Sequence, residues 1–145
     1  MNLKAQSLLG LAGMVAGIVW LGTREEVLSR SVAGLMVQGL AVALMVAARI
    51  TFGARSFHAA ANPTRGGLVT RGPYRLLRHP IYAAVLYFVW AAALDHHSLP
   101  AIAAAALTTT GAAARMYAEE QLLATTYPEY TAYGARTARV IPFVL

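Results

Sequence analysis

The chain has 145 residues, is 58% hydrophobic and 12% charged, and carries a formal net charge of +6. That is one domain by length, and it is more apolar than a soluble domain, which is about 45–50% apolar and about 25% charged. The apolar residues lie in uncharged runs that call for a lipid-facing surface, so the basic balance is read as membrane topology and anionic partners, with no nucleic acid expected. The absence of cysteine excludes disulfides and thiolate metal sites.

In chain order, Met1 to Lys4 and the apolar run after it have the look of a signal peptide. The run is long, however, and no small-residue cleavage site precedes the next charged segment, so it is read as a retained span. Four uncharged stretches follow one another: Ala5 to Gly22, Ser31 to Ala48, Ile81 to Leu94, and Leu99 to Ala114. The first two, at 1.5 Å per residue, cover roughly 27 Å, close to a hydrocarbon core of about 30 Å. The third is short and begins after Pro80, a favoured first helical residue. Only Asp95-His96-His97-Ser98 separates it from the fourth, which predicts a tight antiparallel hairpin. The fourth is mostly alanine with Thr108-Thr109-Thr110 and Gly111; it is expected to run on past Arg115 and to be buried among the other helices, because small residues let backbones approach closely in lipid. Gly13 and Gly17 give the first helix a GxxxG face, read as helix packing. The expected fold is therefore an all-α membrane protein of about four transmembrane helices.

Charge predicts orientation. Arg49, Arg55, Arg65, Arg71, Arg75 and Arg78 fall between the second and third stretches with no acid among them, and Arg115, Arg136 and Arg139 follow the fourth. The other side holds Arg24 and Arg30, offset by Glu25 and Glu26, plus Asp95. The positive-inside rule then places both termini and the long loop in the cytoplasm, in a multi-pass integral membrane protein. Asn62-Pro63, Gly66-Gly67 and Gly72-Pro73 are turn signals within the loop. Ile50, Phe52 and Phe57 read as an interfacial continuation of the second helix.

Two clusters exceed what a membrane anchor needs. One is Gly72 to Tyr82, containing Tyr74, Arg75, Arg78, His79 and Pro80. The other starts at Arg115 and Glu119-Glu120 and continues through Tyr127, Glu129, Tyr130 and Tyr133 to Arg139 and Pro142. Arg115 and Glu119 are four apart and share a helix face; Glu120 lies about 100° round and is able to turn into the hairpin. An interfacial salt bridge capping the fourth span explains the Arg–Glu pair equally well, and an aromatic belt at headgroup level explains the three tyrosines. His79 fits a polar helix start, His96 and His97 face the other way, and no metal-binding spacing is present.

These residues, Gly72-Pro73-Tyr74, Arg78-His79-Pro80, Tyr82, Arg115-x-x-x-Glu119-Glu120-x-x-Leu123, Glu129-Tyr130-x-x-Tyr133 and Arg139-x-Ile141-Pro142, resemble the pattern of the isoprenylcysteine carboxyl methyltransferases and their bacterial relatives, which share a membrane core with phospholipid N-methyltransferases. The resemblance covers Arg49 to Leu145 and leaves the first two helices without a motif. Ala84 stands where that family commonly has Gly, and Tyr127-Pro128 where it has Phe-Gly. The resemblance implies S-adenosylmethionine as cofactor, held by His79, Pro80, Tyr82, Glu119, Tyr130 and Arg139 at a site built by the cytoplasmic loop, the hairpin and the C-terminal tail. It implies a lipophilic or prenylated carboxylate acceptor among the membrane lipids, held by Arg78 and Arg115, with Arg115 and Glu120 as the catalytic pair, Glu120 fixing Arg115 or the cofactor. A sulfonium methyl donor is already activated, so this chemistry asks for alignment and exclusion of water. N-methylation of a lipid amine and a non-enzymatic membrane scaffold are the alternatives. Oligomeric state is not legible.

Overall fold

A computed structural model describes residues 2–53 and 67–143. Among the described residues five α-helices and one 3-10 turn follow in order: α1 Leu3–Thr23, α2 Val32–Phe52, the turn Gly72–Arg75, α3 Pro80–His96, α4 Leu99–Thr126 and the short α5 Tyr130–Gly134. Each start has a local cause. Asn2 caps α1 by accepting from the Lys4 N–H at 3.1 Å, Ser31 caps α2 through Gly34 at 3.0 Å, and Ser98 caps α4 through Ala101 at 3.1 Å. Pro80 opens α3 as its first residue, and His97, left-handed at φ 50°, ends it. The hairpin turn between α3 and α4 is therefore only His97-Ser98, as tight as its sequence predicts.

The long helices form an antiparallel bundle in the spatial order α1, α4, α3, α2. Gly10 lies against Gly111 and Arg115, and Gly17 against Ala104 and Thr108, which fixes α1 antiparallel to α4. Trp90 donates to the Thr109 hydroxyl at 3.0 Å between α3 and α4. Gln38, buried on α2, donates to the Phe88 carbonyl at 3.2 Å and the Val27 carbonyl at 2.8 Å, and accepts from the Ser29 N–H at 3.0 Å. All of its amide groups thus find partners, as a buried amide away from water requires.

Buried positions on α1 are Ser7, Gly10, Met14, Gly17 and Leu21, a three-four alternation that keeps one narrow stripe on α4. Alanine dominates the α4 side and Gly10 and Gly17 open the α1 side, so van der Waals contact between close backbones does much of the holding. The expected packing face of α1 is present, but Gly10 and Gly17 carry it; a methyl at Gly13 would meet only ordinary contacts, at 3.7 Å or more. Outward, α1 and α2 present Leu8, Leu9, Val15, Val19, Leu35, Met36, Leu40 and Val46. Both are long and apolar enough to cross a membrane, and that exposed surface makes this an integral membrane protein. α3 is apolar but shorter, and α4 continues for 28 residues, well past its apolar stretch.

One end of the bundle joins α1 to α2 and α3 to α4. There the Asp95 carboxylate accepts from the Arg30 and Ser31 N–H groups, Ser98 donates to Glu26 at 3.1 Å, and His96 Nε2 meets the Leu28 carbonyl at 2.8 Å. The other end gathers the start of α1, the end of α2, the start of α3, the end of α4 and the tail. The loop residues Arg55, Phe57, Asn62, Pro63, Arg65 and Gly66 lie outside the described residues.

Candidate active site

The site end is organised by the turn before α3. Gly72 has φ 58°, and a Cβ there would sit 2.7 Å from the Thr51 hydroxyl, so the chain passes against the end of α2 only as glycine. The turn buries Tyr74, whose ring packs on Phe52 at 5.5 Å between centroids. After α5, the tail folds back over the start of α3. The Arg78 N–H donates to the Ala138 carbonyl at 2.7 Å, the His79 N–H to the Arg139 carbonyl at 3.1 Å, and the Ala138 N–H to the Leu76 carbonyl at 3.0 Å, forming a short parallel bridge. The Tyr87 hydroxyl ties down the Val140 carbonyl, and the Tyr133 hydroxyl donates to the Tyr74 carbonyl at 2.8 Å. Ala138 and Arg139 are thereby held to the segment before α3 by backbone bonds, which carry no sequence signature of their own, and Val140 is held to α3 by the Tyr87 side chain.

Within this frame the predicted residues converge. His79 is buried, with Nε2 3.1 Å from Glu120 Oε1 and Nδ1 3.8 Å from Glu119 Oε2. Its imidazole therefore bridges the two neighbouring carboxylates. The Tyr82 hydroxyl donates to Glu119 and accepts from Arg115 Nε at 2.7 Å. Arg139 makes a two-pronged contact to Glu120, Nε at 3.2 Å from Oε1 and Nη2 at 3.1 Å from Oε2. Arg78 Nη1 stands 3.6 Å from the same carboxylate. Pro80 is buried at the helix start and gives His79 its place.

Glu120 lies beyond the apolar stretch of α4. Burial pushes its carboxyl up, but hydrogen bonds from His79 and Arg139 and the charges of His79 and Arg78 outweigh this and hold it at about 2. Burial pushes the Tyr133 phenol up to about 12 and raises Tyr74 and Tyr130 as well, so all three are neutral near pH 7.

Two expectations shift in detail. The carboxylate paired with Arg115 is Glu119, Nη2 to Oε1 at 3.4 Å, while Glu120 is taken up by Arg78, His79 and Arg139. The i, i+4 spacing that links Arg115 to Glu119 therefore prevails over the adjacent position. Arg115 itself is 5% exposed and engaged at every nitrogen, since Nη1 also donates to the Ser7 carbonyl at 3.3 Å. That leaves it poorly disposed to be an open clamp for an acceptor. The aromatic-belt reading fails for Tyr130 and Tyr133, which are buried inside the site end; Tyr127 is half-buried. Ser7, Tyr74 and Tyr87 belong to the site's support and were not singled out as such from sequence. Ser7 and Tyr87 sit in apolar helices with no motif, whereas Tyr74 lies within the Gly72 to Tyr82 cluster.

The phospholipid methyltransferase family model matches residues 29–130, which hold α2, α3, α4 and every site residue except Arg139. The chain belongs to the phospholipid methyltransferase family. A methyltransferase of the membrane is thus the broad class, and α1 and the closing tail lie outside the matched stretch. The cobalt-zinc-cadmium resistance protein CzcN of Cupriavidus metallidurans is 38% identical over 80 residues, 52% of this chain and 35% of that protein. The chain spans about a third of the length of that relative. No solved structure matches. Among the described residues of this phospholipid methyltransferase family member, no group of three or more His, Cys, Asp or Glu side chains is arranged to hold a metal ion.

Proposed function

We propose that this protein is an S-adenosylmethionine-dependent methyltransferase that methylates a carboxylate on a lipophilic acceptor, as the isoprenylcysteine carboxyl methyltransferases do. The observation that carries this reading is the single connected network of His79, Tyr82, Arg115, Glu119, Glu120 and Arg139 at the tail end of a membrane bundle of methyltransferase family. The residues fit the cofactor by chemistry. Glu119 and Glu120 accept from ribose hydroxyls or an ammonium, His79 and Arg139 bind a carboxylate, and the Tyr82 and Tyr130 rings suit a cation. Among the described residues Arg78 Nε is buried without a hydrogen-bond partner, and the Tyr130 hydroxyl lies beside the same guanidinium. When bound, the cofactor supplies an activated methyl group. The chain's own task is to orient it and the acceptor and to exclude water.

A carboxylate acceptor is already a nucleophile and needs a cation to place it. Arg78, with its unpartnered Nε, is better disposed for that than Arg115. An apolar cavity of about 160 Å³, lined by Leu21, Met45, Val85, Phe88 and Ala84 among others, offers room for part of a hydrocarbon tail. Ala84, two positions after Tyr82, is where the isoprenylcysteine enzymes commonly have Gly; a methyl there trims this cavity. The arginines between α2 and α3 and those after the apolar stretch of α4 support a cytoplasmic placement of both termini and the site. N-methylation of a lipid amine is the second reading, favoured by the family's phospholipid description and by Glu119 as a candidate proton acceptor beside Tyr82.

The test is calorimetric titration of the purified protein with S-adenosylmethionine and S-adenosylhomocysteine, then transfer of labelled methyl to membrane lipids. A methyl ester releases methanol in alkali and an N-methyl group does not. Saturable binding and alkali-labile label are expected; alkali-stable label selects the amine reading, and absence of binding and transfer defeats both.

A further inference from the structure

We infer that α1 is a working part of the site, because it fixes the Arg115 guanidinium, and that Gly10 is the positioning residue that allows it to do so. Only the turnover arm of the test below rests on the proposed methyl transfer.

α1 lies outside the stretch matched by the family model and carries no motif of its own. Its sequence alone suggests a span and nothing more. In the bundle, however, its first half is seated on the part of α4 that ends at Arg115. A Cβ on Gly10 would lie 2.6 Å from the Gly111 carbonyl oxygen and 2.9 Å from Arg115 Cγ, and one on Gly111 would lie 2.4 Å from the Gly10 carbonyl oxygen. The two backbones therefore touch here, which no side chain permits. That approach carries the Ser7 carbonyl, one turn earlier and fully buried, to 3.3 Å from Arg115 Nη1.

The consequence for Arg115 is geometric. Among the described contacts its planar fork is held at Nε by the Tyr82 hydroxyl at 2.7 Å, at Nη2 by Glu119 at 3.4 Å, and, as a third point, at Nη1 by α1. Tyr82 and Glu119 belong to the candidate site, and the Tyr82 ring also lies 5.8 Å from Arg115 Cζ. The third point is what stops the fork from turning about the other two. Tyr82 and Glu119 thus take their orientation from a helix that touches neither through a motif, and a shell of this kind sets how well a site is preorganised.

The same helix supplies a control. A Cβ on Gly17 would meet Thr108 Oγ1 at 2.2 Å and the Ala104 carbonyl at 2.6 Å, so Gly17→Ala disturbs the α1–α4 contact at least as severely. It does so two turns away, roughly 10 Å further along the helix, and far from Arg115.

The experiment places 3-fluorotyrosine at position 82 of the full chain and reads its fluorine resonance in three backgrounds. Gly10→Ala is expected to shift and broaden the resonance, whereas Gly17→Ala leaves it at the wild-type position although both lower the melting temperature. With labelled S-adenosylmethionine, Gly10→Ala should lower kcat about tenfold or more with little change in KM for the cofactor, and Gly17→Ala should stay within about twofold. Should Gly10→Ala not fold, replacing Leu8 by its α-hydroxy acid weakens the Ser7 carbonyl as an acceptor without adding bulk. The matching ester at Val15 weakens the Met14 carbonyl instead. The resonance should move with the first ester and not with the second. An unmoved resonance in Gly10→Ala and in the Leu8 ester, or equal movement in the controls, overturns the inference. A wild-type protein that transfers no methyl defeats the functional reading, while the resonance still decides this one.

Discussion

Glu120→Gln is the sharpest perturbation of the site end. The side chain keeps its size and one acceptor oxygen, but Arg78 and Arg139 lose their shared counter-charge and His79 loses a carboxylate partner. A carboxyl held at about 2 in place of 4.5 corresponds to roughly 3 kcal/mol at 1.36 kcal/mol for each tenfold step. Arg139 is half exposed, so solvent screens part of the pairing, and about 1–2 kcal/mol is the reasonable loss. Because folding lowers this pKa, the stabilisation is fully present above 4.5 and disappears as pH falls from there towards 2. Thermal melting of wild type and Glu120→Gln in the same detergent should therefore show a gap at pH 7 that narrows below about pH 4.5 and closes only towards pH 2. The variant should also bind S-adenosylhomocysteine more weakly. Equal melting at pH 7, or a gap that persists unchanged at low pH, refutes the reasoning.

Arg115→Lys keeps the charge but cannot reproduce three separate contacts from one planar group; turnover should fall about 100-fold with S-adenosylhomocysteine affinity retained, by methyl transfer and calorimetry on one preparation. Gly72→Ala forces a left-handed φ and a clash with Thr51, so it should cost about 2 kcal/mol of stability in a denaturation series. With no native cysteine to interfere, His97→Cys and Arg71→Cys should label from opposite sides of the membrane; labelling from one side defeats the four-span topology.

What could be read in advance follows from where the information lies in the chain. Apolar runs and caps are local, so α1 to α4 were legible to within a few residues: Pro80 starts α3, and the Ala-rich fourth stretch runs past Arg115 to Thr126. The spacing of Arg115 and Glu119 gave their pairing. Three features were not legible. The partners of Glu120 come from the turn before α3 and from the tail, and only the fold brings Arg78, His79 and Arg139 to one carboxylate. The burial of Tyr130 and Tyr133 depends on the backbone bridge at Leu77 and Ala138, which any residue type can make. The Ser7 contact is a carbonyl, brought into range by glycines whose role looks the same as any other small-residue packing.

The charge balance of the site bears on the acceptor. Arg78, Arg115 and Arg139 face Glu119 and Glu120, so the network carries one more cation than anion even with His79 neutral. Both carboxylates are already committed. Glu119 accepts from Tyr82 and Arg115, and Glu120 from Arg139 and His79. A general base works best with a pKa near the operating pH, and a carboxyl held at about 2 is far below it. Deprotonating an ammonium acceptor would thus fall to Glu119 and would disturb the contact that orients Tyr82 and Arg115. An anionic acceptor makes no such demand. It meets an unbalanced cation, finds the Arg78 Nε without a partner, and leaves both ion pairs as they stand. On this reasoning the arrangement favours a carboxylate, and Arg78→Gln should raise KM for the acceptor more than for the cofactor.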